Sequence, residues 1–404
     1  MTDAPSDRLF TPRFFVMCAF SFTVFLSALQ LLPTAPFHIH DLGGSTAASG
    51  LFLGLLTYFS AISAPITGSL ADRLGRTRLL LVCSLAIAGF SVLYAIAPTV
   101  PLLLVLVPVH GIVWSGLLSA SAAHMTSMLP PARRAEGISY WGLSSVLALA
   151  LAPPIGFWIY RYGWVWLCMF AALLNLVMAA IAWQLRETDP PPAPMPHEPH
   201  RRGWVEWRVL MLSMPLFLYS YAYGAITSFS ALFADSLGIT PKSVYLTTLA
   251  IVILVTRPFF GRLGDRFGYR RVFAPCLLLI TAGIVLLAIA TSRAGMILSA
   301  VVFGIGFGTA YPVFAAYVSH GVSEHRRGAA FGAILAAFDT GIGTGSSSLG
   351  WLVESFGYPT AFGLAAALSA LALPAFLLAD RQVDLNSPSG PAGAGMTAVE
   401  SVST

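Results

Sequence analysis

The chain has 404 residues, 57% of them hydrophobic and 10% charged, and its mean hydropathy is +0.78. Soluble domains carry roughly a quarter of charged residues, and disordered chains combine low hydrophobicity with high net charge, so both classes are excluded and the sequence reads as a membrane protein. The net charge of +5, from 22 basic and 17 acidic residues, falls in short clusters between apolar runs and forms no basic face for nucleic acid.

One bilayer crossing takes about 20 apolar residues. Residues 1–13 are expected to be a cytoplasmic N-terminus. The apolar run that follows Arg8 and Arg13 is longer than a signal-peptide core, which makes it a retained first helix. Spans are expected at 14–37, 49–71, 78–97, 100–124, 138–160 and 164–185, an N-terminal six-helix bundle over 14–185. The proline-rich, charged stretch 186–208 cannot continue a helix and is expected to be a cytoplasmic linker. Six more spans are expected at 209–234, 243–263, 271–291, 295–318, 328–353 and 359–379, a C-terminal bundle over 209–379, followed by a disordered cytoplasmic tail over 380–404. The fold class is therefore an all-α membrane protein with twelve transmembrane helices in two pseudosymmetric six-helix bundles. Cys18, Cys83, Cys168 and Cys276 each stand alone in an apolar run, indicating neither a disulfide framework nor a metal cluster.

With the N-terminus inside, eighteen Lys and Arg fall in inside segments and three outside, namely Arg161, Lys242 and Arg293, while Arg257 lies within a predicted span. This asymmetry follows the positive-inside rule with both termini cytoplasmic.

Gly68, Asp72, Arg73, Gly75 and Arg78 recur as Gly261, Asp265, Arg266, Gly268 and Arg271 at a separation of 193 residues, with a further arginine in each loop, Arg76 and Arg270, displaced by one position. At the same separation Arg133 and Arg134 recur as Arg326 and Arg327, and Gly111 as Gly304, while Gly163 pairs with Gly357 one residue further on. A repeat in one register describes two homologous halves, and parallel six-span halves point to a secondary transporter.

The duplicated pattern Gly-x-x-x-Asp-Arg-x-Gly, after span 2 and again after span 8, resembles the signature loop of the major facilitator superfamily (MFS). The resemblance extends over 14–379 and is nearest to the drug and metabolite efflux branch. It implies a substrate cavity between the two halves and alternating access. It also implies that Asp72 latches onto the start of span 11 after Arg327, stabilising the state closed to the cytoplasm, and that Asp265 does the same at the start of span 5 after Arg134. Physical reasons exist for such a loop. A glycine lets a second helix approach closely, and an aspartate accepts bonds from the free N–H groups of a facing helix N-terminus. The arginines either join this latch or only set topology at the anionic leaflet.

Polar groups without a counterpart in the other half are candidates for coupling or substrate. Asp339 is the one acid well inside a predicted span, and Val146 occupies its place in the first half. An ionisable group at that depth is costly and usually functional, so Asp339 either carries the coupling proton, pairs with Arg257, or caps the glycine-rich stretch Gly341–Gly345. His110, opposite Phe303 in the repeat, is the reserve proton carrier or a packing residue. Arg257 either touches substrate or acts as a structural latch. Cavity walls in this superfamily come mainly from spans 1, 4, 7 and 10, which puts Gln30, Trp114, Tyr219, Tyr223 and Tyr311 among the substrate contacts. Such a lining suits apolar or weakly cationic molecules.

Ala152-Pro153-Pro154-Ile155-Gly156 resembles, in degraded form, the Gly-Pro-x-x-Gly stretch of proton-coupled exporters, while Val107 stands where they tend to have an arginine. The glycines at 304, 306 and 308 lack the strand and turn of a nucleotide loop, and no Walker, metal or nucleophile motif supports an enzyme. The expectation is a non-enzymatic, cofactor-free secondary transporter, monomeric in a bacterial inner membrane, exporting small amphipathic molecules by proton antiport. The alternatives are a proton symporter or facilitator importing a metabolite, and a receptor that does not transport.

Overall fold

A computed structural model describes residues 9–130, 133–186, 212–260, 267–321 and 327–385, and these are all helical apart from short turns. The first half contributes α1 (Pro12–Leu31), α2 (Ala35–Asp41), α3 (Thr46–Leu74), α4 (Arg76–Ile96), α5 (Val100–Met128), α6 (Arg134–Tyr160) and α7 (Trp164–Arg186). The second contributes α8 (Met214–Ser236), α9 (Val244–Phe260), α10 (Tyr269–Ala288), α11 (Arg293–Gly321), α12 (Arg327–Ala370) and α13 (Ala372–Leu385). Arg186 of the expected linker ends α7 and residues 380–385 of the expected tail are helical in α13, while 187–208 and 386–404 lie outside the described residues.

Local chemistry sets the boundaries. The Thr11 hydroxyl accepts from the Phe14 amide (3.2 Å) and Pro12 opens α1, a cap plus a residue whose missing N–H costs nothing there. Ser45 caps α3 in the same way through the Ala48 amide (3.1 Å). Gly75 ends α3 with φ +89°, and its repeat mate Gly268 precedes α10 with φ +84°, a region that only glycine enters without strain. The two halves thus turn the same corner with the same backbone.

Ten described helices are long and apolar enough to cross a membrane, and Val244–Arg257 forms a shorter apolar one. The first runs past the expected end at 37 to Asp41, through a turn after Leu31. The spans expected at 328–353 and 359–379 are two helices that meet at a kink at Gly357, φ 79° and ψ 166°, the second running on past Ala370 into α13. The 48-residue apolar stretch Gly332–Ala379 would reach about 70 Å at ~1.5 Å per residue, more than twice a hydrocarbon core of about 30 Å. Ile62, Ile66, Ile96 and Val105 are 67–71% exposed, as side chains turned to lipid would be.

The halves meet where α3 crosses α12 and where α6 crosses α9. Small residues carry the first crossing. A Cβ on Gly343 would lie 2.7 Å from the Thr57 hydroxyl, and one on Gly350 would lie 2.6 Å from the Thr46 carbonyl oxygen. On the other side of α12, a Cβ on Gly341 would lie 2.5 Å from the Phe217 carbonyl oxygen of α8. The glycine-rich stretch is therefore an uninterrupted helix wedged between α3 and α8, not a loose segment that Asp339 caps.

Candidate substrate cavity

Helices α1, α3, α5, α6, α8, α9, α11 and α12 enclose a cavity of about 400 Å³ between the halves. One end is zipped shut. The Ala47 amide donates to Glu354 Oε2 (2.9 Å), the Ser346 hydroxyl donates to the Gly50 carbonyl (2.8 Å), and the Tyr58 and Thr344 hydroxyls bond at 2.8 Å. At the opposite end of α3 the packing is different, since no described residue lies within 4 Å of a Cβ built on Gly68. Among the described residues, no helix approaches that signature glycine closely in this conformation.

Aromatic rings stand in a wall that is otherwise mostly aliphatic. Tyr223 of α8 stacks on Phe307 of α11 with centroids 4.4 Å apart, and Tyr311 meets Phe338 of α12 edge-on at 5.3 Å. Across the cavity Phe25 of α1 and Trp114 of α5 form another edge-on pair at 5.9 Å. Hydroxyls in the wall are largely spent on their own helices: Thr57 donates to Leu53, Thr227 to Tyr223 and Ser145 to Gly142 carbonyls.

Three ionisable groups interrupt this apolar lining. Asp339 Oδ2 accepts from the Ser60 hydroxyl across the α3–α12 crossing (3.3 Å). Arg257 of α9 lines the same cavity, and its guanidinium makes one long bond, 3.4 Å, to the Gly142 carbonyl of α6. No ion pair joins Arg257 to Asp339 among the described residues, although Tyr311 interacts electrostatically with both. His110 stacks over Phe90 (5.5 Å, 10°) and its Nδ1 bonds the Tyr94 hydroxyl at 2.9 Å, leaving Nε2 buried with no partner.

Of the expected substrate contacts, Trp114, Tyr223, Tyr311 and Arg257 line the cavity, as do Asp339 and His110. Gln30 and Tyr219 do not. Gln30 is fully buried against α6, where a Cβ on Gly156 would come within 2.9 Å of its own Cβ. Tyr219 is fully buried behind the wall, edge-on to Phe307 at 5.8 Å. Helices apolar on every side carry no signal for which face turns inward, so a polar residue on a wall helix need not point into the space. Phe25, Ser60, Phe307 and Phe338 were not anticipated. For Phe338 a signal existed, since it adjoins the one intramembrane acid.

The signature loops are only partly described. Arg73, Arg134 and Arg270 are exposed, and Arg76 shares a groove with Arg134. Arg133 pairs with Glu136 at 2.8 Å on its own helix. Gly261, Asp265, Arg266 and Arg326 lie outside the described residues, as do the side chains of Asp72 and Arg327, so the expected latches fall there too.

Known proteins share this architecture. The bacterial homologue of the human lysosomal transporter Spinster, solved in an inward-facing and occupied conformation, superposes with a TM-score of 0.79 at 16% identity, covering 91% of this chain and 96% of that one. The nucleoside transporter NupG superposes at 0.69 with 16% identity, covering 92% and 100%. In sequence, the uncharacterized MFS-type transporter YhhS of Escherichia coli (strain K12) is 25% identical over 367 residues, 88% of this chain and 89% of its own. The family model for the Major Facilitator Superfamily matches residues 14–247 and 212–401. With the duplicated signature, the all-helical halves and this match along nearly its whole length, the chain belongs to the major facilitator superfamily.

Proposed function

We propose that this MFS transporter moves small amphipathic molecules by alternating access, with proton exchange at Asp339 driving the movement. The observation that carries the reading is one carboxyl in a largely apolar cavity between the halves, held by a 3.3 Å bond from Ser60. An acid at membrane depth is costly unless its charge is used, and a carboxyl can exchange that charge for a proton at each turn of the cycle. The break at Gly357 and the shared backbone of Gly75 and Gly268 support twelve crossings in two halves, 14–185 and 209–379, joined by a linker over 186–208. The eighteen-to-three distribution of basic residues supports cytoplasmic termini. With that orientation the zipped end faces outward and the cavity belongs to an inward-open state.

Export by antiport requires proton and cargo to displace each other, whereas import by symport requires them to bind together. Arg257 favours the second reading: an anionic cargo held beside it is repelled by an ionised Asp339 and accepted by a protonated one. Purified protein in liposomes with an imposed pH gradient separates the two. Antiport concentrates cargo on the acidic side and symport on the alkaline side, each measured above protein-free vesicles. Asp339→Asn, inserted at normal abundance, should abolish gradient-driven accumulation while preserving binding. Undiminished pH-driven flux through Asp339→Asn refutes the assignment.

A further inference from the structure

We infer that the cavity recognises an organic anion, with Arg257 holding a carboxylate, sulfonate or phosphonate and the aromatic wall holding an apolar body. This deepens the reading of the cavity as the transport site and rests on it. A guanidinium carries five N–H donors in a planar fork and stays charged in any protein environment. Arg257 uses one of them, in a single 3.4 Å bond to the Gly142 carbonyl, and that carbonyl already accepts from Ser145 at 2.8 Å. A partly buried cation without a counter-ion is unfavourable, and among the described residues no acid is paired with it.

The other charged group does not fill this role. Asp339 belongs to the opposite crossing, where it is bonded to Ser60, and a carboxyl can shed its charge by taking a proton. A guanidinium cannot, so the permanent charge in the cavity is positive and the missing partner is an anion. The cavity offers that anion a bidentate fork and offers the rest of the molecule stacked and edge-on rings from Tyr223, Phe307, Tyr311 and Phe338. Its volume, about 400 Å³, lies within the range of roughly 300–1,000 Å³ that small-molecule sites occupy. The weakly cationic cargo expected from the aromatic lining alone is thus replaced by an anionic one.

The test uses the full chain, purified in nanodiscs, and matched triplets in which one aromatic body (naphthalene, biphenyl or indole) carries a carboxylate, a primary amide or an ammonium group. Ligand-induced thermal stabilisation is read for each. At least one carboxylate should bind about tenfold more tightly than its amide and ammonium partners, as expected for a charge-assisted bond worth ~1.4 kcal/mol. Arg257→Gln should erase that preference and Arg257→Lys should keep part of it. Asp339→Asn should retain the preference while losing gradient-driven flux, which separates this inference from the coupling assignment. A preference for the ammonium members, equal binding within every triplet, or a carboxylate preference that survives Arg257→Gln would each overturn it.

Discussion

Gly350→Ala is expected to pry open the zipped end of the cavity without unfolding the protein. The new Cβ would stand 2.6 Å from the Thr46 carbonyl oxygen and 3.1 Å from the Ala47 Cα, both backbone atoms that no rotamer change can move. Ordinary carbon-to-oxygen approach is about 3.3–3.6 Å, so α3 and α12 must separate locally by roughly 0.7–1 Å. Overpacking of this kind costs about 1–3 kcal/mol, and it is felt only while this end is closed. The gain in helix propensity, up to about 1 kcal/mol for replacing glycine by alanine, is the same in every conformation and supports the fold. The equilibrium should therefore move away from the closed-end state by a factor of roughly 5–150. Spin labels at the exposed positions His40 and Ser355, in a background without the four native cysteines, should show a longer-distance population by double electron–electron resonance. Gly363→Ala, beyond the Gly357 kink and with no described residue within 4 Å, is the control. If Gly350→Ala folds normally and gives the same distance distribution as this control, the crossing does not set the closed state.

Two further outcomes follow from the same geometry. Gly68→Val should fold and insert normally, because no described residue lies within 4 Å of its Cβ, yet should slow flux at least several-fold by obstructing close approach when that end shuts; unimpaired flux would remove Gly68 from the gate. Glu354→Gln takes a negative charge from the N-terminus of α3, where the side chain accepts from the Ala47 amide at 2.9 Å. The longer-distance population between the same labels should rise a few-fold at low salt and converge with the parent at high salt, and a salt-independent change would assign the effect to packing.

The apolar runs were legible because a bilayer imposes length and hydrophobicity, and the expected spans overlap the observed helices from Pro12 onward. Gly75 and Gly268 were legible as turn residues because their conformation excludes other side chains. The end of the first span, expected at 37, was not: the Thr34 hydroxyl bonds back to the Gln30 carbonyl at 2.7 Å and the chain re-enters a helix that runs to Asp41. In the site, Asp339 and Arg257 stood out because membrane depth makes charge conspicuous. Gln30 and Tyr219 were misplaced because composition gives a wall helix no inward face, and Ser60 was invisible because a serine at this depth usually bonds its own helix. The packing role of Gly341 to Gly350 was hidden by their spacing: glycines on two adjoining faces of one helix look from the sequence like a flexible segment.

Ser346 has a further consequence. Its hydroxyl bonds the Ser228 hydroxyl at 2.6 Å within its own half and donates to the Gly50 carbonyl at 2.8 Å across the crossing, while Tyr221 holds Ser348 at 2.7 Å beside it. When the halves part, the serines keep their partners on α8, and what the seam surrenders is a carbonyl and a rotatable hydroxyl, groups that water satisfies at once. Apart from Glu354 at its rim, the bonds that close this end are made by backbone and hydroxyl groups. Opening of this end therefore leaves α12 fastened to α8 through Ser228 and Tyr221, ready to close again in the same register.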